Sequence, residues 1–371
     1  MAFMDTLINI LSIHPSLKYG LAVLGYMALV RSLRYRRINA LLAKYPDPTL
    51  PLRNLDIARE CCSNINDLEF PYLNVTSLEF ALFKTFAIPS ISKVLVATKE
   101  LSNHCLKRTD DTVFILFEMT ELHSRISLRT INEGKFDPEA AENDHKRFQT
   151  SLERLNFIHG HYKIAQEEYL YTLALFILEP PSFIGRFEWR PLTLLERNAL
   201  LAHWTYIGKG MGIKNIPDNL DDLTSWSEEY ESQHAVFDKS NIKIAEATVS
   251  LLLSMTPKFT HGVLQWGVSA LLTDRLRTAF GFAPPPKGVT TFVYSLLWLR
   301  GRFIQYFMLP RRKPLVRTGL RANHENKYVP AFHKYTPVYP DGYRIEELGP
   351  SKFLGKCPAS SISAMASPST V

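Results

Sequence analysis

Along most of the chain apolar residues recur three and four positions apart, and strand-like alternation is scarce. That period is the mark of amphipathic helices, so the pattern predicts an all-α protein built as a single large helical bundle. Ser77–Lys99 follows the helical period with a break at Pro89, and Asp110–Thr130 reads as one helix. Its acidic start and its arginines near the end suit the helix dipole. Pro138 suits the first turn of the next helix, which runs into residues 154–165. Glu167–Glu179 is apolar on almost every side, which predicts a central buried helix that Pro180 and Pro181 stop. Helices are expected over Leu192–Gly212, Trp226–Met255 and Phe259–Phe280. Val289–Leu309 is aromatic and apolar but carries Arg300 and Arg302, too much charge for a spanning helix. It suits either the membrane interface or the surface of the bundle.

The two ends depart from this pattern. Thr6–Val30 is apolar apart from His14 and Lys18, and the basic run Arg31–Arg37 follows it. Counted from Thr6 the stretch is long enough to span a bilayer as a single N-terminal anchor, with a kinked interfacial helix as the alternative. The basic flank on its C-terminal side places the main domain in the cytosol. Three regions result: 1–37 as anchor and basic flank, 38–354 as the helical domain, and 355–371, rich in Ser, Ala and Pro, as a disordered tail.

Composition adds little until charge is considered. The 371 residues are 46% hydrophobic and 21% charged, which is globular, with a net charge of +7. The basic excess gathers in Arg31–Arg37 and Arg311–Lys313, each directly after an apolar segment. Such placement suits an anionic membrane surface, and no nucleic-acid-binding motif accompanies it. Cys61, Cys62, Cys105 and Cys357 form neither a disulfide framework nor a metal knuckle.

Dinucleotide, phosphate-loop, nucleophile-elbow and H-E-x-x-H motifs are absent, as is a cysteine haem-ligand loop. Two E-x-x-H sequences, Glu142–His145 and Glu231–His234, have the form used by di-iron bundle proteins, with Glu118 or Glu121 and Glu196 as further carboxylates. Both lie in strongly charged segments and read more simply as solvated helix faces. The other candidate is Arg154–Tyr162, where Asn156, His159 and Tyr162 share a helix face and His161 points elsewhere. A neutral imidazole can ligate haem iron, and arginines pair with haem carboxylates. Arg125, Arg129 and Arg154 are the candidates for that pairing. A satisfied core histidine is the alternative reading.

Several motifs, in order, resemble one family. They are Lys107-Arg108-x-Asp110-Asp111-Thr112, Asn156-x-Ile158-His159-x-x-Tyr162, Tyr171-Thr172-Leu173-x-x-Phe176 with Glu179-Pro180, Glu188-Trp189-Arg190, and Trp204-x-x-Ile207-Gly208-x-x-Met211-Gly212-Ile213-x-x-Ile216-Pro217. Together they are similar to the fungal MpaB-type endoplasmic-reticulum oxygenases, distant relatives of bacterial latex-clearing oxygenases. The resemblance implies a globin-like or related haem-binding core and haem b. It implies dioxygen-dependent cleavage of a C=C bond in an isoprenoid or related lipophilic, prenylated substrate of secondary metabolism, at the endoplasmic reticulum membrane. It makes His159 the iron ligand, with His161 second and His203 third. Arg154, Tyr162 and Thr172 become candidate catalytic side chains. The bacterial relatives use Arg, Lys and Thr side chains over the haem, and Ile158 leaves no lysine beside His159. The alternatives are a di-iron hydroxylase or desaturase, and a membrane-tethered binding protein without catalysis.

Overall fold

The computed structural model of the chain describes residues 15–356. Its regular structure is helical, with no β-strand among the described residues. Among the described residues sixteen α-helices follow one another: α1 (Pro15–Lys44), α2 (Leu50–Arg53), α3 (Leu55–Ser63), α4 (Pro71–Thr85), α5 (Pro89–Thr98), α6 (Glu100–Asn103), α7 (Cys105–Thr120), α8 (Leu122–Glu133), α9 (Pro138–His159), α10 (Gln166–Phe187), α11 (Leu194–Gly210), α12 (Leu220–His234), α13 (Lys239–Ser254), α14 (His261–Leu271), α15 (Asp274–Phe280) and α16 (Val289–Phe307). Residues 308–356 then run back over the bundle as irregular chain with two short 3-10 turns.

Helix α10 is the axis of the molecule, packing on α4, α11, α12 and α16. Tyr171, Leu173, Ala174, Leu175 and Ile177 are all buried, as the all-round apolar pattern predicts. The helix does not end at Pro180; it runs through both prolines to Phe187. A proline inside a helix costs roughly 3 kcal/mol, and burial of Phe183, Ile184 and Phe187 beyond the break opposes that cost.

Other predicted helices divide where a polar side chain takes the backbone. Asp110–Thr130 is two helices, α7 and α8, because Glu121 turns out of the helix at the break. Its carboxylate accepts from the backbone N–H groups of Arg317 (3.0 Å) and Thr318 (3.1 Å), which fastens the returning chain to the bundle. Trp226–Met255 divides before Asp238, whose side chain accepts from Ser240 N and caps α13. Phe259–Phe280 divides before Thr273, which caps α15.

The expected N-terminal anchor is met only in part. Thr6–His14 lie outside the described residues, as do residues 357–371 of the expected disordered tail. Among the described residues no single helix is long and apolar enough to cross a membrane. Helix α1 is interrupted by Lys18 and is strongly basic from Arg31 onward. Its second half packs on α16, with Arg31 donating to the Tyr306 hydroxyl and Gln305 to the Tyr35 hydroxyl, and buries Val30, Arg34, Ile38 and Leu41, while Leu17–Leu29 is almost wholly exposed. The bent pair α4–α5 is apolar enough when taken together, but it builds the core and the cavity walls described next.

Candidate active site

A cavity of about 220 Å³ lies between α5, α7, α9, α10 and α11, and its wall is overwhelmingly apolar. Leu173, Phe176, Trp204, Ile207 and Met211 form one side, with the Phe176 and Trp204 rings 4.8 Å apart. Into this lining the fold admits His159, Tyr162, Thr172, Arg108 and Thr112, the carboxylates Glu100, Asp111 and Glu168, and Thr85 and Thr98 at the edge of α4 and α5.

His159 is the last residue of α9, where the helix ends at Gly160. Its Nδ1 is buried and has no hydrogen-bond partner. Burial, reinforced by the nearby Arg108 guanidinium, pulls the imidazole down to about 4. The ring is therefore neutral at physiological pH, the state a metal requires of it. The Tyr169 ring, 5.7 Å away, packs beside it.

Arg108 enters from α7. Its guanidinium donates to the Thr112 hydroxyl, and that hydroxyl donates in turn to the Arg108 carbonyl (2.7 Å). No carboxylate reaches it: Asp111, on the next turn, is held by Lys107 (2.8 Å) and by the Tyr339 hydroxyl. Burial lowers the Arg108 pKa, although a guanidinium stays charged. Asp111 and Glu100 line the same cavity and act on Arg108 only at a distance, without an ion pair; an anion brought by a ligand is the natural complement of an arginine held this way. Arg108 and Thr112 stand in the first motif of the sequence, yet sequence reasoning gave neither a role. The signal was there in the i, i+4 spacing of an arginine and a threonine on an otherwise apolar helix face.

The other predicted residues divide sharply. Tyr162 and Thr172 line the cavity with His159. The Thr172 hydroxyl donates to Glu168 O (2.9 Å), while no protein partner of the Tyr162 hydroxyl is found among the described residues. His161 does not reach the cavity. Its Nδ1 contacts Phe157 O (2.7 Å) and its ring lies 4.4 Å from that of Phe353. His203 is buried behind Trp204, outside the cavity lining.

The three arginines expected to hold haem carboxylates are committed elsewhere. Arg125 pairs with Asp144 (2.9 Å) and Glu118 (3.4 Å), and Arg129 with Asp144 (2.8 Å), in a buried network that does not touch the cavity. Arg154 donates to Leu348 O (2.7 Å) and Phe353 O (3.3 Å), so it secures the C-terminal chain. That chain closes one end of the cavity with Gly349 and Pro350. Gly349 sits at φ +103°, and a Cβ there would fall 2.5 Å from Ile158 Cδ1. The positive φ calls for glycine, and a side chain there would also displace the Ile158 methyl.

The di-iron carboxylates are not brought together either. Glu118 belongs to the arginine network, Glu121 holds Arg317, Glu196 pairs with Arg190 (2.7 Å), and Glu231 pairs with Lys84 (3.2 Å). Glu142, His145 and His234 are exposed.

A second cavity, about 300 Å³, adjoins the first and shares Leu82, Phe86, Leu95, Arg108 and Thr112 with it. Its wall continues with Phe80, Phe83, Leu251, Leu252, Val268 and Leu271. Arg108 and Thr112 thus stand at a polar junction between two apolar spaces.

Residues 88–301, which supply α5 and α7–α11 around the first cavity, match the family model described as "ER-bound oxygenase mpaB/B'/Rubber oxygenase, catalytic domain". The chain belongs to this family. It is 34% identical to the ER-bound oxygenase mpaB of Penicillium roqueforti (strain FM164) over 278 residues, covering 69% of this chain and 87% of that relative. It is 29% identical to the ER-bound oxygenase mpaB' of Penicillium brevicompactum over 401 aligned positions, covering 90% and 88% of the two chains. As a member of this family the protein is an oxygenase, and both of these relatives are named as ER-bound.

Proposed function

We propose that this mpaB-family protein is a haem b-dependent oxygenase that cleaves a C=C bond in a lipophilic, prenylated or related chain. The observation that carries the reading is His159: a neutral imidazole without a protein partner at Nδ1, lining an apolar cavity that also holds a guanidinium with no ion pair. Those residues fit haem, which asks for a neutral nitrogen donor, an apolar enclosure and cations for its carboxylates. His159 would ligate the iron. Arg108 takes over the pairing role expected of Arg125 and Arg129. Bound there, haem supplies the iron chemistry that activates dioxygen.

The chain's own residues do the rest. Leu173, Phe176, Trp204 and Ile207 exclude water, and in such a medium each remaining dipole acts strongly. Arg108 presents N–H donors where negative charge is held or develops, the kind of contact that contributes a factor of about 10² to 10³ in rate. The Tyr162 hydroxyl is a further donor into the same space. Cleavage of an alkene by one dioxygen into two carbonyl groups balances in atoms and electrons, so the reaction needs no separate reductant. The adjoining apolar cavity suits a substrate chain, and a lipophilic substrate explains association with a membrane. Helix α1, with its exposed apolar first half and basic second half, is the proposed anchor, leaving the helical domain cytosolic.

The test is an absorption spectrum of the full chain purified in detergent with haem supplied. A Soret band is expected in the wild type and in His161→Ala, and its loss in His159→Ala. A full haem complement with an unchanged ferrous spectrum in His159→Ala would sink the assignment.

A further inference from the structure

Three helices that are far apart in sequence form one surface layer. Helix α16 packs on α1 at one side and on α14 at the other. None of the three contains an aspartate or glutamate. A layer of this length without an acidic residue is unusual for a protein surface exposed to water, where both signs are normally interspersed.

The side of α16 turned to the protein takes up its charge. Gly301 is buried at the crossing, where a Cβ would stand 2.7 Å from Phe187 O, so α16 lies directly on the end of α10. The arginines on either side reach inward. Arg300 pairs with Glu188 (2.9 Å), and Arg302 donates to the Glu188 and Trp189 carbonyls (3.1 Å each). Its outer face is left as Phe292, Leu296, Leu299 and Phe303, at successive spacings of four, three and four, joined by Trp298. On α14 and the turn before it, Phe259, Val263 and Leu264 are exposed, Phe259 at 87%. On α1 the exposed side continues through Leu17, Leu21, Leu24 and Tyr26. An apolar area this continuous on a water-exposed surface marks an interaction site.

Charge identifies the partner. Lys287 precedes α16 and Arg311–Lys313 follow it, while Lys258 precedes α14 and Arg31 and Arg36 lie on α1. Among the described residues no carboxylate pairs with Lys258, Lys287, Arg36 or Arg312, and all four are exposed. A helix with cations beyond both ends and an apolar outer face lies in the plane of a bilayer, its cations at the headgroups.

We propose that α14 and α16, flanked by α1, dock in the interface of an anionic phospholipid membrane, as a contact additional to any anchor that α1 provides. The second cavity lies directly behind this layer. Leu251 and Leu252 of α13 and Val268 and Leu271 of α14 form its wall, and Leu252 is itself 41% exposed. In the proposed orientation the mouth of this cavity lies beside Leu252, on the lipid side, which would let an apolar chain pass from bilayer to the Arg108–Thr112 junction without crossing water. Membrane docking does not depend on the cofactor assignment, so its test reads lipid contact alone.

The test uses the full chain with Cys105 and Cys357 replaced by serine, carrying a single environment-sensitive fluorophore on Phe259→Cys, Leu296→Cys, Phe303→Cys or Leu252→Cys. Glu153→Cys on α9 is the water-facing control. On phosphatidylcholine vesicles containing phosphatidylserine, the first three labels should shift to the blue, lose quenching by aqueous iodide and gain quenching by doxyl-labelled lipid. Leu252→Cys should do the same if the mouth opens to lipid, and Glu153→Cys should not. Iodide quenching at residues 259, 296 and 303 that stays equal to the control on bound protein would overturn the docking face. The same result at residue 252 alone would overturn the lipid-side mouth. Contact that is equally strong on pure phosphatidylcholine, or unchanged in Lys287→Glu/Arg312→Glu, would overturn the anionic requirement.

Discussion

Two buried polar regions lie next to each other along α7 and α9, and they are built on opposite principles. In the first, Arg125, Arg129 and Arg147 meet Glu118 and Asp144, all almost without solvent exposure. Three cations face two carboxylates, and most of the surplus N–H groups go to carbonyls at Phe117, Glu118, Gly319 and Leu320, with Arg129 Nε left without a partner. Tyr343 donates to Glu118 (2.6 Å), so the returning chain is part of the same network. In the second region, around His159 and Arg108, the imidazole Nδ1 has no hydrogen-bond partner and the guanidinium forms no ion pair among the described residues, although Glu100, Asp111 and Glu168 also line the cavity. Saturated burial holds a structure together, whereas burial left unsaturated at a cavity wall anticipates a ligand.

The largest expected effect breaks the first region. Glu118→Ala leaves Arg147 and Arg125 short of a carboxylate deep in the protein. Removing one member of such a pair costs about 3–5 kcal/mol, so urea unfolding of the variant should lose that much. A loss below about 1 kcal/mol would mean that water or neighbouring carbonyls satisfy the arginines and that the network does not fasten the returning chain.

The second effect concerns a polar group belonging to neither region. His203 is buried with both ring nitrogens unpartnered, and burial pulls its imidazole down from 6.5 to about 3, with Arg59 adding to the shift. A base with a depressed folded pKa contributes stability that is present above the unfolded pKa and lost as pH falls. Between pH 6.5 and about 3 the unfolded chain therefore binds the extra proton. This group should contribute a slope of up to about 1.4 kcal/mol per pH unit. Denaturation at pH 7, 6, 5 and 4 measures it, and His203→Phe should remove that part of the slope. An unchanged slope in the variant would assign the pH dependence to other groups.

This contrast also explains what could be read from the sequence. The helical period predicted α10 as a central buried helix, because burial of an all-apolar segment is a local property. It also placed Pro138 at the start of α9, but the helix expected through residue 165 ends at His159, so Tyr162 reaches the cavity from the turn beyond it and not from a shared helix face. The arginines could not be sorted this way. Arg125, Arg129 and Arg108 look alike in sequence, and what separates them is whether a carboxylate on another helix reaches them. Asp144 and Arg147 sit in the charged stretch EAAENDHKR, which reads as a solvated face; Glu142 and His145 are indeed exposed. The two residues between and beyond them, three apart, turn inward to meet Glu118 and Arg125. Breaks at Glu121 and Asp238 were equally hidden, since Glu121 turns away from its helix to serve residues nearly 200 positions later.

The smallest expected effect on the fold falls on the second region and sharpens the comparison most. Arg108→Met keeps the length and apolar stem of the side chain and removes a cation that has no carboxylate to lose. Replacing a buried charge by an apolar group of similar size is often neutral or stabilising, so the cofactor-free protein should unfold within about 1 kcal/mol of wild type or slightly later. Function should not be spared, because the N–H donors toward the cavity are gone: oxygen-dependent turnover should fall even where haem is still bound. Arg108→Lys restores charge without the planar fork and should recover only part of the loss. A stability cost near that of Glu118→Ala would place Arg108 with the paired network. The distinction between a polar region that fastens the chain and one that receives a ligand would then fail at the residue on which it most depends.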